Sequence, residues 1–182
     1  DTVFLVFVTG AFHLDGLGDA ADGLFSHRPK EQVLEIMKDS RVGMMGLAAV
    51  VCVLAVKTAG IYSMKTAGTS GLIFLMVPAL SRSSMIFGIR FLKYGRKGTG
   101  TGLDLFEHPA GMYDFIIVGL VVVISLILGY KGLLLLGVFV VATAGVLLFY
   151  KQKLNCITGD MLGAMTEVVE ALMFLAAGAM IA

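Results

Sequence analysis

Charge is scarce in this 182-residue chain: Asp, Glu, Lys and Arg make up 15% of it, beside 58% hydrophobic residues. An average soluble domain carries about 25% and about 45–50% respectively. That scarcity excludes an ordinary solvated surface and points to a chain built for lipid. A net charge of +1 excludes the polyelectrolyte attraction on which nucleic-acid binding rests, so no nucleic acid is expected as a partner. The two cysteines, Cys52 and Cys156, stand in no CxxC or Cys/His spacing and read as inert thiols. Low-complexity tracts and internal repeats are missing. So is the pattern of a cleavable leader: "DTVFLVFVTGAF" opens on an acid, lacks a basic flank and runs straight into further acids. It is shorter than the roughly 20 apolar residues of a full span, so we expect half of a spanning helix whose earlier part precedes the chain.

What is present is a series of long apolar runs. Val42 to about Val56, continuing more weakly through Lys57 to Tyr62, is long enough to cross a membrane. Gly71 to Leu92 can also cross, with a kink at Pro78 and Arg82 near its middle. Asp114–Tyr130, Gly132–Tyr150 and Asp160–Ala182 follow. None alternates as a barrel strand would, so the expected fold is all-α, a polytopic bundle of about six transmembrane helices forming one domain over residues 1–182. The polar stretch His27 to Arg41 carries Val33, Leu34, Ile36 and Met37 as an amphipathic stripe and should lie at the membrane surface. Arg28, Lys30, Lys38, Arg41, Arg90, Lys93, Arg96, Lys97, Lys151 and Lys153 fall in alternate loops; Lys57, Lys65 and Lys131 are left for the opposite side. The positive-inside rule then puts the polar motifs on the cytoplasmic face of the cell membrane.

Two acidic constellations stand out against this background. In "FHLDGLGDAADGL" (Phe12 to Leu24), Asp15, Asp19 and Asp22 fall within roughly 60° of one another on a helix. Three like charges on one face call for compensation, and a hard divalent cation such as Mg²⁺ suits carboxylate oxygens. A solvated helix end is the plainer alternative, but it has no need of the interleaved Gly16, Gly18 and Gly23, each costing about 1 kcal/mol against alanine. Asp39 is a fourth ligand or a helix cap, and Arg41 beside it a phosphate clamp or a neutralising charge. In "TGDMLGAMTEVVE", Asp160, Glu167 and Glu170 share about 80° of one helix face. Both glutamates lie roughly 10–15 Å below the surface, where carboxylates are rare and usually functional; pairing with Arg82 is their structural alternative. "GRKGTGTG" lacks the Walker A order, although Arg96 and Lys97 with successive glycine amides could cradle a phosphate. His13 is a base, a ligand or a helix-end histidine.

The stretches "HLDGLGDAADGLFS", "EIMKDSRVGMMG" and "TGDMLGAMTEVVE", in that order and with "PALSRSSM" and "GLDLFEH" between them, resemble the cobalamin synthase family, the adenosylcobinamide-GDP ribazoletransferases. The resemblance covers essentially the whole chain. It implies an integral membrane enzyme that joins adenosylcobinamide-GDP to α-ribazole or its 5′-phosphate and releases GMP, with Mg²⁺ as cofactor. It puts function on Asp15, Asp19 and Asp22 as metal ligands. Asp39, Arg41, Glu167 and Glu170 become catalytic candidates, and His13, Arg82, Arg96, Lys97 and Asp160 substrate-binding ones. Gly18, where the family often has alanine, is a mild departure. Membrane lipid is the expected surrounding, and a homo-oligomer is compatible with it.

Two other readings compete. A CDP-alcohol phosphotransferase also uses spaced aspartates near a membrane, but it needs an arginine shortly after its D-G, which the positions around Asp19 and Ala20 lack. A cation transporter would use the intramembrane carboxylates as an ion path and would work without nucleotide.

Overall fold

Apolar runs without alternation leave helix as the way to satisfy the backbone in lipid. In the computed structural model, which describes residues 2–66, 71–96, 102–107 and 111–180, helix is the only extended regular structure among the described residues. The elements are α1 (Thr2–Val8), α2 (Phe12–Leu24), α3 (Lys30–Ile36), α4 (Met44–Thr66), α5 (Gly71–Phe91), α6 (Asp104–Glu107), α7 (Met112–Ile127), α8 (Tyr130–Lys153) and α9 (Gly159–Ala179). Helices α4, α5, α8 and α9 are each long and apolar enough to cross a membrane, whereas α1 and α2 reach that length only as a pair bent by 94°. The bend falls at Gly10 and Ala11, both left-handed at φ +57° and +59°, a conformation open to glycine and strained for alanine.

The protein is therefore an all-α polytopic membrane protein with four such helices among the described residues, or five if the bent pair is counted. The hydropathy runs suggest about six. The difference lies in that bend and in α7, whose 16 residues reach only about 24 Å at 1.5 Å per residue.

Helix α9 is the axis of the bundle. It packs against α2, α4, α5 and α8, and Met161, Leu162, Met165, Val169, Met173, Phe174 and Ala177 along it have no measurable exposure. Helices α4 and α8 instead turn residues such as Val51, Leu133 and Val141 outward, as lipid-facing surfaces do. Thr158 starts α9 as its N-cap, its hydroxyl accepting from the Met161 amide at 3.3 Å. Small residues let the neighbours approach at backbone distance: a Cβ on Gly16 of α2 would stand 2.9 Å from the Asp160 carbonyl oxygen, and one on Gly60 of α4 would run into the backbone of Phe174.

Four further hydrogen bonds fix the polar end. Tyr150 donates its hydroxyl to the Met161 carbonyl at 3.0 Å, tying α8 to α9. Lys30 donates to the Leu154 carbonyl at 2.8 Å. A short parallel bridge, with Gly95 donating to Ile157 O at 2.9 Å and Ile157 donating to Lys93 O at 3.0 Å, pins the segment after α5 against the α8–α9 turn. That bridge decides where Arg96 lies.

Candidate functional site: an open acidic face and a buried ion cluster

Asp15, Asp19 and Asp22 lie on one face of α2, and all three line a cavity of about 350 Å³ against Val42, Leu47 and Val50 of α4 and its leading segment. Gly18 lines it too, and a Cβ there would meet only Val50 at 3.9 Å. Of the three interleaved glycines, then, Gly16 makes room for α9, Gly23 for Val33 and Met37 beside α3, and Gly18 for the cavity.

The three aspartates have different jobs. Asp22 is occupied: its two oxygens accept the amides of Gly43 and Gly46 at 2.7 and 2.8 Å. It thus satisfies the N-terminal donors of α4 from a different helix, where the negative charge also suits the helix dipole. Gly43 and Gly46 are required there, since a Cβ on either would press into the Asp22 carboxylate. Asp15 lines a second cavity of about 280 Å³ with Lys38, Arg96, Gly159 and Asp160, so the two spaces adjoin across it. Arg96 donates through Nη2 to Asp160 Oδ2 at 2.5 Å and to the Met37 carbonyl at 3.2 Å, while its Nε is buried without a hydrogen-bond partner. Lys97 lies outside the described residues.

Among the described residues, no three His, Cys, Asp or Glu side chains form a ready-made metal cage. Asp15 and Asp19, as hard oxygen donors on an open cavity, nonetheless fit Mg²⁺, which is commonly held by one or two carboxylates plus substrate phosphates. A separate cavity of about 670 Å³ between α8 and α9 is lined by apolar residues with Tyr130 and carries no acid; it has none of these donors.

Asp39 and Arg41 form a pair of their own on the exposed segment between α3 and α4. Arg41 donates from Nε to both Asp39 oxygens at 3.0 Å and from Nη2 at 2.5 Å, and its backbone amide adds a further bond at 3.1 Å. These bonds hold the Asp39 carboxyl down at about 2. Asp39 does not cap α4; Asp22 does.

Glu167 and Glu170 point into the bundle. Lys57 of α4 donates to Glu167 Oε2 at 2.5 Å and to Glu170 Oε1 at 2.8 Å. Glu170 Oε2 accepts from Ser81 and from Arg82 Nη1, both at 3.0 Å. Arg82 is thus a partner of Glu170, and Lys57, which the hydropathy pattern places in a loop on the opposite side, is a buried mid-helix cation only 3% exposed. One signal could have found it: two intramembrane carboxylates need two cations, and Arg82 is one. Between the two constellations sits His13, whose backbone packs on Gly163 and whose Nδ1 is buried without a hydrogen-bond partner.

The Cobalamin-5-phosphate synthase family model matches residues 2–178. The chain is 36% identical over 165 residues to an adenosylcobinamide-GDP ribazoletransferase of Acetivibrio thermocellus, covering 90% of this chain and 66% of the relative. A protein of that name from Caldanaerobacter subterraneus subsp. tengcongensis is 36% identical over 181 residues, 94% of this chain and 70% of its own. One from Syntrophobacter fumaroxidans is 37% identical over 180 residues, 98% and 72%. The chain spans about two thirds of the length of the first of these curated relatives. No solved structure matches it.

Proposed function

The chain belongs to the Cobalamin-5-phosphate synthase family, and on that premise we propose that it transfers the cobinamide-bearing phosphoryl group of adenosylcobinamide-GDP to a hydroxyl of α-ribazole or of its 5′-phosphate. The oxygen of that hydroxyl forms the new bond to the phosphorus next to cobinamide, the bond from that phosphorus to the bridging pyrophosphate oxygen breaks, GMP leaves with that oxygen, and the hydroxyl proton passes to solvent or to the departing phosphate. The observation that carries this reading is the pair of adjoining cavities that share Asp15, one with Asp19 and the other with Arg96 and Asp160. They set hard oxygens and a guanidinium on either side of Asp15 at the polar end of a membrane bundle, as a pyrophosphate requires.

Asp15 and Asp19 would hold Mg²⁺, whose chemistry when bound is to neutralise charge on the phosphoryl and leaving oxygens. Asp22 keeps α4 docked and so shapes the cavity that Asp15 and Asp19 line. Arg96, oriented by Asp160 and the Met37 carbonyl, binds phosphate oxygens and positions the pyrophosphate for attack. Arg41 reaches solvent on its Asp39 tether and is suited to meet the incoming nucleotide. Glu167 and Glu170, already in ion pairs, act by holding cations in place. We further propose that this end of the bundle faces the cytoplasm, where GMP is released, and that lipid surrounds the apolar belt.

The test is direct. Purified protein in nanodiscs, given Mg²⁺, adenosylcobinamide-GDP and α-ribazole or its phosphate, is expected to form GMP and the joined corrinoid, both read by mass spectrometry. Folded protein that forms neither with either acceptor would overturn the reading.

A further inference from the structure

We infer that Lys38 is a further substrate-binding residue of the proposed transferase site, its ammonium taking a phosphate oxygen of a bound substrate; the inference rests on the transferase reading above. Its placement is direct. Lys38 lines the cavity of about 280 Å³ together with Asp15, Arg96 and Asp160. Of the two cations in "KDSR" (Lys38 to Arg41), it is the one that borders this space, whereas Arg41 lines neither acid-bearing cavity and is bonded to Asp39.

The backbone carries Lys38 to the cavity wall and holds it there. Helix α3 ends at Ile36, and the Lys38 amide donates to the Glu35 carbonyl at 3.0 Å in the closing turn. Met37, just before it, is buried where Gly23 of α2 leaves room: a Cβ on Gly23 would stand 2.6 Å from the Met37 Cγ. The Met37 carbonyl accepts from Arg96 at 3.2 Å. The residue leading into Lys38 is thus fixed to α2 by its side chain and to Arg96 by its carbonyl. The lysine side chain is held far less tightly. Its carboxylate partner among the described residues is Glu35, at 3.2 Å, and the two side chains are 43% and 72% exposed. An exposed pair of this kind contributes little, so an anion entering the cavity displaces Glu35 at small cost.

Charge decides what that anion finds. Among the described residues, Asp15, Asp19, Asp22 and Asp160 line the two adjoining cavities, against Arg96 and Lys38. Asp22 is met by backbone amides, and Arg96, with 8% of its side chain exposed, already bonds Asp160. Lys38 is therefore the described cation at these walls whose charge no acid of the site holds. A lysine ammonium binds phosphate as a point charge on a flexible stem. Both substrates of the proposed reaction can offer one: the donor its pyrophosphate, the phosphorylated acceptor its 5′-phosphate.

Steady-state kinetics of the whole chain with each acceptor test the inference. K38M keeps the length of the side chain and removes its charge, and at a half-exposed position it should hold the melting temperature within about 4 °C. The KM for one phosphate-bearing substrate is expected to rise about 10- to 100-fold, the loss of one hydrogen bond to a charged group, and K38R is expected to restore most of it. A rise for adenosylcobinamide-GDP with either acceptor assigns Lys38 to the pyrophosphate. A rise for α-ribazole 5′-phosphate, with α-ribazole unaffected, assigns it to the acceptor. Wild-type KM values for all three substrates in folded K38M, a change confined to kcat, or a K38R protein as impaired as K38M would overturn the inference. K38Q, read the same way, takes the place of K38M should that variant lose its fold. Wild-type protein that forms no GMP removes the transferase reading and this inference together, whereas an active wild type beside an unimpaired K38M removes this inference alone.

Discussion

The two acidic regions of this molecule solve one problem in opposite ways. At the open end of α2, Asp15 and Asp19 line a cavity, Asp15 also facing the space lined by Lys38 and Arg96, and among the described residues neither carboxylate is tied up in an ion pair. Ten to fifteen ångströms deeper along α9, by the roughly 1.5 Å rise per residue, Glu167 and Glu170 are sealed in by Lys57, Arg82 and Ser81. The difference is one of solvent. A carboxylate at an open cavity can wait for a mobile cation or substrate, but one buried in a bundle must bring its partner along the chain, because an unpaired charge there is too costly to keep. Asp22 shows a third arrangement, with backbone amides of another helix in place of a cation.

The comparison breaks most visibly at Lys57. Lys57→Met alone strands two buried carboxylates with a single cation, and the folded state should lose about 3–5 kcal/mol, measured by unfolding in detergent. The opposite signature is expected at Asp19. Asp19→Asn should leave unfolding unchanged and cut GMP release by about 100-fold or more at sub-saturating Mg²⁺; near-normal activity under those conditions would count against Asp19 as a metal ligand. The two glycines adjoining these aspartates, Gly16 next to Asp15 and Gly18 next to Asp19, test the same contrast on a smaller scale. Gly16→Ala presses a methyl group into the Asp160 backbone and should cost about 1–3 kcal/mol, while Gly18→Ala, pointing at the cavity, should stay within about 0.5 kcal/mol.

The smallest effect belongs to the exposed Asp39–Arg41 pair. Arg41→Gln should return the Asp39 carboxyl from about 2 toward the ordinary value of about 3.9, followed by carboxyl NMR. A depressed carboxyl stabilises the folded segment above its ordinary value, so Arg41's contribution is fully present above about pH 4 and fades as pH falls through about 2. A titration that stays unchanged in Arg41→Gln would detach the shift from this pair.

Helix content and the membrane class follow from composition alone, because 58% hydrophobic residues in unbroken, non-alternating runs can satisfy their backbones in lipid only as helices. The shared faces of Asp15/Asp19/Asp22 and Asp160/Glu167/Glu170 are equally local, set by 3.6 residues per turn. So is the recognisable order of the three motifs. What each acid pairs with is a different kind of fact. That Asp22 caps α4, that Arg96 meets Asp160 through the bridge at Ile157, and that Lys57 closes the glutamate pair all depend on residues 21 to 113 positions apart along the chain. Periodicity within one helix carries no information about which helix lies beside it. Lys57 shows the limit most sharply: hydropathy treats a lysine as the end of a span, and only the packing of α4 on α9 supplies the two carboxylates that let it sit in the middle of one.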